Sequence, residues 1–240
     1  MKILSIGNSF SQDAQRYLSR LAAAGGESFK CMNLYIGGCT LATHYNNMAK
    51  NNRDYELELN GESTGEKISI KEALESDSWD VVTLQQASRY SVDIDSYFPY
   101  IQSLYDYVRE RCTGARILLH ETWEYEKGFP NLQSIGYEDP SDMYRDLHLA
   151  YTKAGEKLCA DGIIPCGTAM HLAINDGLRA HRDMFHASRG AGRYLLALTW
   201  YATLTGKDIS ENLVCDFDEP VGDDELKIVR SAVQRALGRK

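Results

Sequence analysis

Residues 2–22 constrain this chain most. Ile3, Leu4 and Ile6 form a short apolar run that stops at Gly7, and a repeat of Ala14, Tyr17, Leu18, Leu21 and Ala22 follows soon after. A continuous apolar run of this length reads as a strand buried on both faces, as in a parallel sheet. The repeat places its apolar residues on one face of a helix, expected to run to Gly25-Gly26. Ser11 is the expected N-cap, and Asp13 puts an acid in the first turn, where the backbone dipole favours it. Ser9 therefore stands where a central strand gives way to a helix. In open α/β sheets, ligands bind at that edge, beside backbone N–H groups without partners.

The alternation continues along the chain. Phe29–Ile36 reads as a second strand, Gly37-Gly38-Cys39-Thr40 as a tight turn and Leu41–Lys50 as a helix. Trp79–Gln86 and Ala115–Leu119 are the next strands, separated by a helix over Tyr97–Arg111 with Ile101, Leu104, Tyr105 and Val108 on one face. Ser141–Ala160 is helical, Gly162–Pro165 a short fifth strand, Thr168–Asp176 and Tyr194–Leu204 further helices. A last helix within Glu211–Arg239 carries Leu226, Val229, Val233 and Leu237. Strands alternating with helices predict one α/β domain over residues 1–240. Two insertions interrupt the alternation. Tyr55–Leu59 and Lys67–Ile70 alternate apolar and polar residues, predicting a β-hairpin within residues 53–71. Residues 124–140, with two prolines, two glycines and several aromatics, read as a long surface loop.

Composition narrows the function. With 34 acidic against 26 basic residues the net charge is −8, which argues against a nucleic-acid partner. No apolar run approaches the roughly 20 residues of a membrane span. The first strand begins at Lys2, which leaves no room for a signal peptide; the sequence as written reads as cytoplasmic, or as secreted if a leader has been removed. Cys31, Cys39, Cys112, Cys159, Cys166 and Cys215 are scattered without a C-x-x-C pair, so free thiols are expected rather than a disulfide framework.

Candidate chemistry gathers at strand ends. Gly7-Asn8-Ser9-Phe10-Ser11 resembles the first block of the SGNH, or GDSL-type, hydrolases, with Asn8 and Phe10 replacing that family's Asp and Leu. Gly37-Gly38 resembles its second block, which supplies a backbone N–H to an oxyanion hole. Gln85-Gln86-Ala87-Ser88 stands where the family carries Gly-x-Asn-Asp, and a glutamine amide on a longer arm could supply the missing asparagine's donor. Asp183-Met-Phe-His186, ahead of Gly190 and Gly192, resembles the last block. An Asp and a His three residues apart can face each other on one turn of a helix. The combination resembles a poorly characterised branch of the superfamily. It implies a three-layer α/β/α sandwich, flavodoxin-like, around a five-stranded, mostly parallel sheet.

The resemblance implies roles for these residues. Ser9 would be the nucleophile, His186 its general base and Asp183 the carboxylate that orients the imidazole. Backbone N–H groups of Ser9 and Gly38, with Gln85 or Gln86, would meet the oxyanion. Asn8, Trp123 and Tyr125 are candidate pocket residues. No cofactor and no metal are required, and the partner is a small-molecule or saccharide ester, with no nucleic acid and no membrane. Aromatic residues among polar ones in the 124–140 loop suit a sugar, which points to a small-acyl, acetylesterase-like activity.

Alternatives remain open. Gly61-Glu-Ser-Thr-Gly65 matches the G-x-S-x-G nucleophile elbow, but no helix can follow Ser63 directly, so a hairpin turn is expected there. Cys39 lacks an obvious histidine partner and reads as a buried filler. His44, His148, His171 and His181 read as surface or packing residues. A metal-dependent hydrolase could draw on His181, Asp183, His186 and Glu121, and the altered third block leaves room for a non-catalytic carbohydrate-binding role.

Overall fold

In the computed structural model, which describes residues 1–209 and 216–239, β1 (Lys2–Gly7) lies at the middle of the sheet. Ile3, Leu4 and Ile6 are buried, so this strand can sit only between two others. It pairs in parallel with β2 (Lys30–Tyr35) on one side and β5 (Val81–Leu84) on the other. Beyond β5 lie β6 (Arg116–His120) and β7 (Gly162–Ile164), both parallel. The sheet thus turns outward in both directions from β1. The crevice above the carboxyl ends of β1, β2 and β5 is where such sheets bind ligands.

The sheet has seven strands, where the sequence predicts five. The hairpin, β3 (Tyr55–Leu59) and β4 (Glu62–Ile68), does not stand apart as an insertion. It extends the sheet antiparallel at the β2 edge. Its turn is also tighter than the expected Gly61–Gly65 loop. Asn60 and Gly61 adopt φ of 51° and 82°, the paired positive angles of a two-residue hairpin turn, and β4 starts at Glu62. Ser63 consequently lies on an exposed edge strand, donating to the Glu56 carboxylate, and no helix begins after it until Ile70. Glu62, Glu66 and Lys67 keep that edge charged, which discourages pairing with another chain.

Helices flank the sheet. α1 (Ser9–Gln15), α2 (Leu18–Ala24), α8 (Cys166–Asn175), α9 (Ala191–Thr205) and α10 (Asp223–Ala236) form one contiguous group, with α9 buried along nearly its whole length. α3 (Leu41–Lys50), α4 (Ile70–Glu75) and α5 (Tyr100–Arg111) form a second. α7 (Pro140–Leu158) packs against α8, while Tyr151 meets Tyr97 edge-on and Cys159 O accepts from the Tyr105 hydroxyl of α5. No helix among the described residues is long and apolar enough to cross a membrane.

Three local expectations are corrected. The first helix is two: the chain re-aims at Arg16–Tyr17, where the buried Tyr17 hydroxyl donates to Arg189 O and accepts from the Asp218 N–H at 2.7 Å. The 124–140 segment contains a short helix, α6 (Pro130–Ser134), begun by a proline whose fixed φ suits a first turn. The Asp183–His186 segment is a narrow loop closed by a bridge between His181 and Ala187, not a helical turn. Cys31, Cys39, Cys112 and Cys166 are buried free thiols and Cys159 an exposed one, while Cys215 lies outside the described residues.

Candidate active site

Ser9 is the first residue of α1, immediately above β1. The N-cap is Asn8 rather than Ser11: Asn8 Oδ1 accepts from the Phe10 N–H at 3.0 Å, and Ser11 reaches back to accept from the Asn8 N–H at 3.1 Å. Ser11 is drawn inward because its hydroxyl also donates to Asn33 Oδ1 on β2 at 2.8 Å. Gly7 makes this possible. A Cβ there would lie 2.1 Å from Ser11 Oγ and 3.2 Å from Gln85 Oε1.

Ser9 Oγ lies 2.9 Å from His186 Nε2, and His186 Nδ1 lies 2.8 Å from Asp183 Oδ2. The structure thus brings together three residues drawn from opposite ends of the chain. Asp183 Oδ1 also accepts from the His186 N–H at 2.8 Å. Burial pulls the Asp183 carboxyl upward, but the hydrogen bonds from the His186 ring and N–H outweigh it and hold the group below its ordinary value. An ionised carboxylate facing Nδ1 fixes the tautomer in which Nε2 is free to accept from Ser9.

Asp13, which the sequence marks only as a first-turn acid, sets the position of this loop. Its carboxylate is fully buried and accepts from Arg182 Nη1 at 2.9 Å, Arg193 Nε at 2.8 Å and the Ala187 N–H at 3.2 Å. Arg182 also donates to Ala187 O. Arg193 continues to Asp218, which pairs in turn with Arg16. Aromatic packing closes the other side. Phe185 lies against the His186 ring with centroids 3.8 Å apart and stacks on Phe129 of the 124–140 segment.

A cavity of about 410 Å³ opens in front of Ser9 and His186, with Gly38, Ser88, Tyr125 and Phe185 among its walls. Gly38, with φ of 62°, carries an N–H that meets no acceptor among the described residues, and the Ser9 N–H is an unpaired first-turn donor. Both residues line the cavity.

The third block departs from expectation. Gln85 and Gln86 are buried, and neither amide reaches the cavity. Gln85 Nε2 donates to Asn8 Oδ1 at 2.7 Å while its Oε1 accepts from His120 Nδ1 at 2.8 Å. Burial pushes His120 down to about 3, so the ring is neutral. Gln86 Oε1 accepts from the Leu41 and Ala87 N–H groups, and its Nε2 donates to Ser96. These amides hold backbone in place: Gln85 steadies Asn8, which donates to Cys39 O beside the Gly38 turn. What this strand end presents to the cavity instead is Ala87, Ser88 and Arg89.

Among the expected pocket residues, Tyr125 lines the cavity, with its hydroxyl 2.8 Å from Ser88 Oγ. Asn8 borders it, its Oδ1 accepting from Phe10 N–H and Gln85 and its Nδ2 donating to Cys39 O. Trp123 does not line it. The ring is wholly buried beneath Phe10, with centroids 4.0 Å apart, and its Nε1 donates to Phe185 O at 2.8 Å, so it supports the Asp183–His186 loop from below. Asn131 and Ser134 line the cavity from the 124–140 segment, whose mixed polar and aromatic composition points there; Arg182 and Phe185 line it from just before and within the Asp-x-x-His block, while Gln12 and Arg89 carry no sequence signal of their own.

The rival arrangements do not assemble. Cys39 does have a histidine neighbour, with His44 Nδ1 3.5 Å from Sγ, but burial pushes the thiol up to about 12 and the imidazole down to about 3. Glu121 is buried against His148 and the Thr168 N–H, and His181 Nε2 donates to Glu124 O, so neither turns toward Asp183. His148 and His171 thus serve as carboxylate partners, with His171 facing Glu124. No group of three or more metal-ligating side chains occurs among the described residues.

The fold is that of the SGNH hydrolases. A protein from Slackia heliotrinireducens assigned to those hydrolases superposes with a TM-score of 0.64 at 24% identity, over 85% of this chain and 98% of its own. A variant of an acetyl-xylooligosaccharide esterase from Geobacillus stearothermophilus gives 0.51 at 15% identity, over 90% and 96%. A protein of the DUF4886 family from Bacteroides uniformis gives 0.90 at 33% identity, over 99% of this chain and 94% of its own. A search of curated proteins finds no match. The model of that same family, described as a domain of unknown function, matches residues 2–236, and the chain belongs to it.

Proposed function

We propose that this protein is a serine esterase that removes a small acyl group, acetyl foremost, from a carbohydrate or similarly polar alcohol. The observation that carries the reading is the unbroken line from Ser9 Oγ through His186 to Asp183, opening on the cavity. A serine hydroxyl is a weak nucleophile until a base takes its proton, and His186 Nε2 is within reach to do so. The Ser9 oxygen attacks the ester carbonyl, whose oxygen becomes negative and is met by the Ser9 and Gly38 N–H groups. His186 then protonates the departing alcohol. Water, activated by the same imidazole, releases the acid from the acyl-enzyme. No cofactor enters this scheme.

The polar cavity walls favour a hydrophilic alcohol. Gln12, Asn131 and Ser134 can meet hydroxyl groups, while Tyr125 and Phe185 offer flat apolar faces. A lipase would instead expose an apolar lid for a lipid surface. In support, the acetyl-xylooligosaccharide esterase named above shares the fold. The test is a screen of acetyl to octanoyl model esters and acetylated sugars with wild type and Ser9→Ala in parallel. Preference for chains of eight or more carbons would remove the acetyl assignment. Activity surviving in Ser9→Ala, or no labelling of Ser9 by a fluorophosphonate, would remove the serine mechanism.

A further inference from the structure

The cavity carries a charge opposite to that of the protein around it. The chain has 34 acidic residues and a net charge of −8, yet no aspartate or glutamate lines the cavity, whereas two arginines do. One of them is already neutralised, since Arg182 is spent on the buried Asp13 carboxylate. The other, Arg89, forms no ion pair among the described residues; its guanidinium lies over the Tyr90 ring, 5.1 Å from the centroid.

The backbone that carries Arg89 is held from several sides. It sits on a single 3₁₀ turn, Ser88–Tyr90. Ser88 Oγ is 2.8 Å from the Tyr125 hydroxyl, across to the 124–140 segment. Ser91 Oγ donates to Ser88 O at 2.7 Å, and the buried Tyr97 hydroxyl donates to Ser91 O at 2.9 Å. Gln86 fixes the strand end just before the turn. A guanidinium held over a ring has less freedom to lose when it grips a carboxylate with both arms. Arg89 is exposed at the cavity wall, within reach of a group that extends outward from the reacting ester.

We propose that Arg89 is a specificity residue that selects esters whose alcohol half bears a carboxylate, as an acylated uronic acid does. This rests on the esterase reading above. Such a substrate supplies the one charge the cavity lacks, and its hydroxyls suit Asn131 and Ser134 on α6.

The experiment compares mono-O-acetyl galacturonic acid with mono-O-acetyl galactose, which differ at C6 by a carboxylate, using wild type, Arg89→Gln and Arg89→Lys. The expected result is a kcat/KM ratio of about tenfold or more in favour of the uronate, carried mainly by KM and shrinking as salt is raised. Arg89→Gln should bring the ratio near one, and Arg89→Lys should keep part of it. Equal rates in wild type, or a ratio unchanged in Arg89→Gln, would overturn the proposal. So would a preference for 4-nitrophenyl succinate over 4-nitrophenyl acetate that Arg89→Gln abolishes, because the anion would then belong to the acyl half. If no ester is cleaved, the esterase reading fails by itself. Calorimetric binding of acetyl galacturonic acid then decides Arg89: a Kd about tenfold weaker in Arg89→Gln supports it, and an unchanged Kd overturns it.

Discussion

Ser9 and Asp13 stand one turn apart on α1 and grip the same loop at two points, Ser9 facing His186 Nε2 at 2.9 Å and Asp13 accepting from the Ala187 N–H at 3.2 Å. Ser9 and His186 therefore keep their distance because a single short helix sets both contacts. A shift of about 1 Å at such a site can cost on the order of 10² in rate.

The first consequence concerns the nucleophile. Ser9→Ala should fold normally and lose roughly 10⁴ to 10⁶ of kcat on an acetyl ester. Ser63→Ala, on the exposed edge of the sheet, should retain wild-type rates. Steady-state kinetics on both variants, with circular dichroism to verify folding, checks this. An inactive Ser63 variant would refute the site.

Asp13→Asn should be costly in two ways. It leaves Arg182 and Arg193 around a neutral amide in a buried place, and breaking a buried charge pair typically costs about 3–5 kcal/mol. Urea unfolding should report that loss. Kinetics should show kcat falling while KM moves less, since the loop carrying His186 loses its anchor. Wild-type stability would show that the arginines find other partners.

Gln85→Leu separates a structural amide from an oxyanion donor. The substitution leaves the buried Asn8 Oδ1 and His120 Nδ1 each short of a partner, at about 1–3 kcal/mol. Stability and kcat should therefore fall together. A large drop in kcat with unchanged urea midpoint would instead mean that the amide acts directly on the transition state.

Stability should decline in mild acid. Burial lowers both His44 and His120 to about 3, against about 6.5 in the unfolded chain. As pH falls through that window the unfolded chain binds protons the folded one refuses, so stability present above about pH 6.5 is lost progressively toward pH 3. Each ring contributes on the order of 3 kcal/mol of this loss at pH 4. Glu124, whose carboxyl burial pushes up, works the other way, so the comparison of wild type with His120→Gln decides. The variant's urea midpoint should be less sensitive to pH between 7 and 4.5; identical slopes would refute the assignment.

What could be read from the residues was what local pattern controls. The apolar run at Ile3–Ile6, the alternation at Tyr55–Leu59 and the spacing of α5 each specify their own element, and together they specify the layered fold. Ser9, Asp183 and His186 were legible because each sits in a short block with its own turn chemistry. Asn8 and Ser11 are both good caps, and only the contact between Ser11 and Asn33 across the sheet decides between them. The hairpin's attachment to β2 is a pairing between strands, invisible to either strand alone. Which way Gln85 and Gln86 point depends on Asn8, His120, Leu41 and Ser96, brought together only by folding. Asp13 was visible as a first-turn acid, but its arginine partners lie 169 and 180 residues away.

Gln86 accepts at once from Leu41, just past the Gly38 turn, and from Ala87, just before Arg89, while its other end holds Ser96. The chain beside the Gly38 turn and the chain that leads into the Arg89 turn are thereby tied to one buried amide. Neither can be reshaped without disturbing the other. Room for redesign lies across the cavity, where Asn131 and Ser134 sit on a five-residue helix between loops. An engineer seeking a new substrate would therefore do well to randomise α6 and leave the opposite wall untouched.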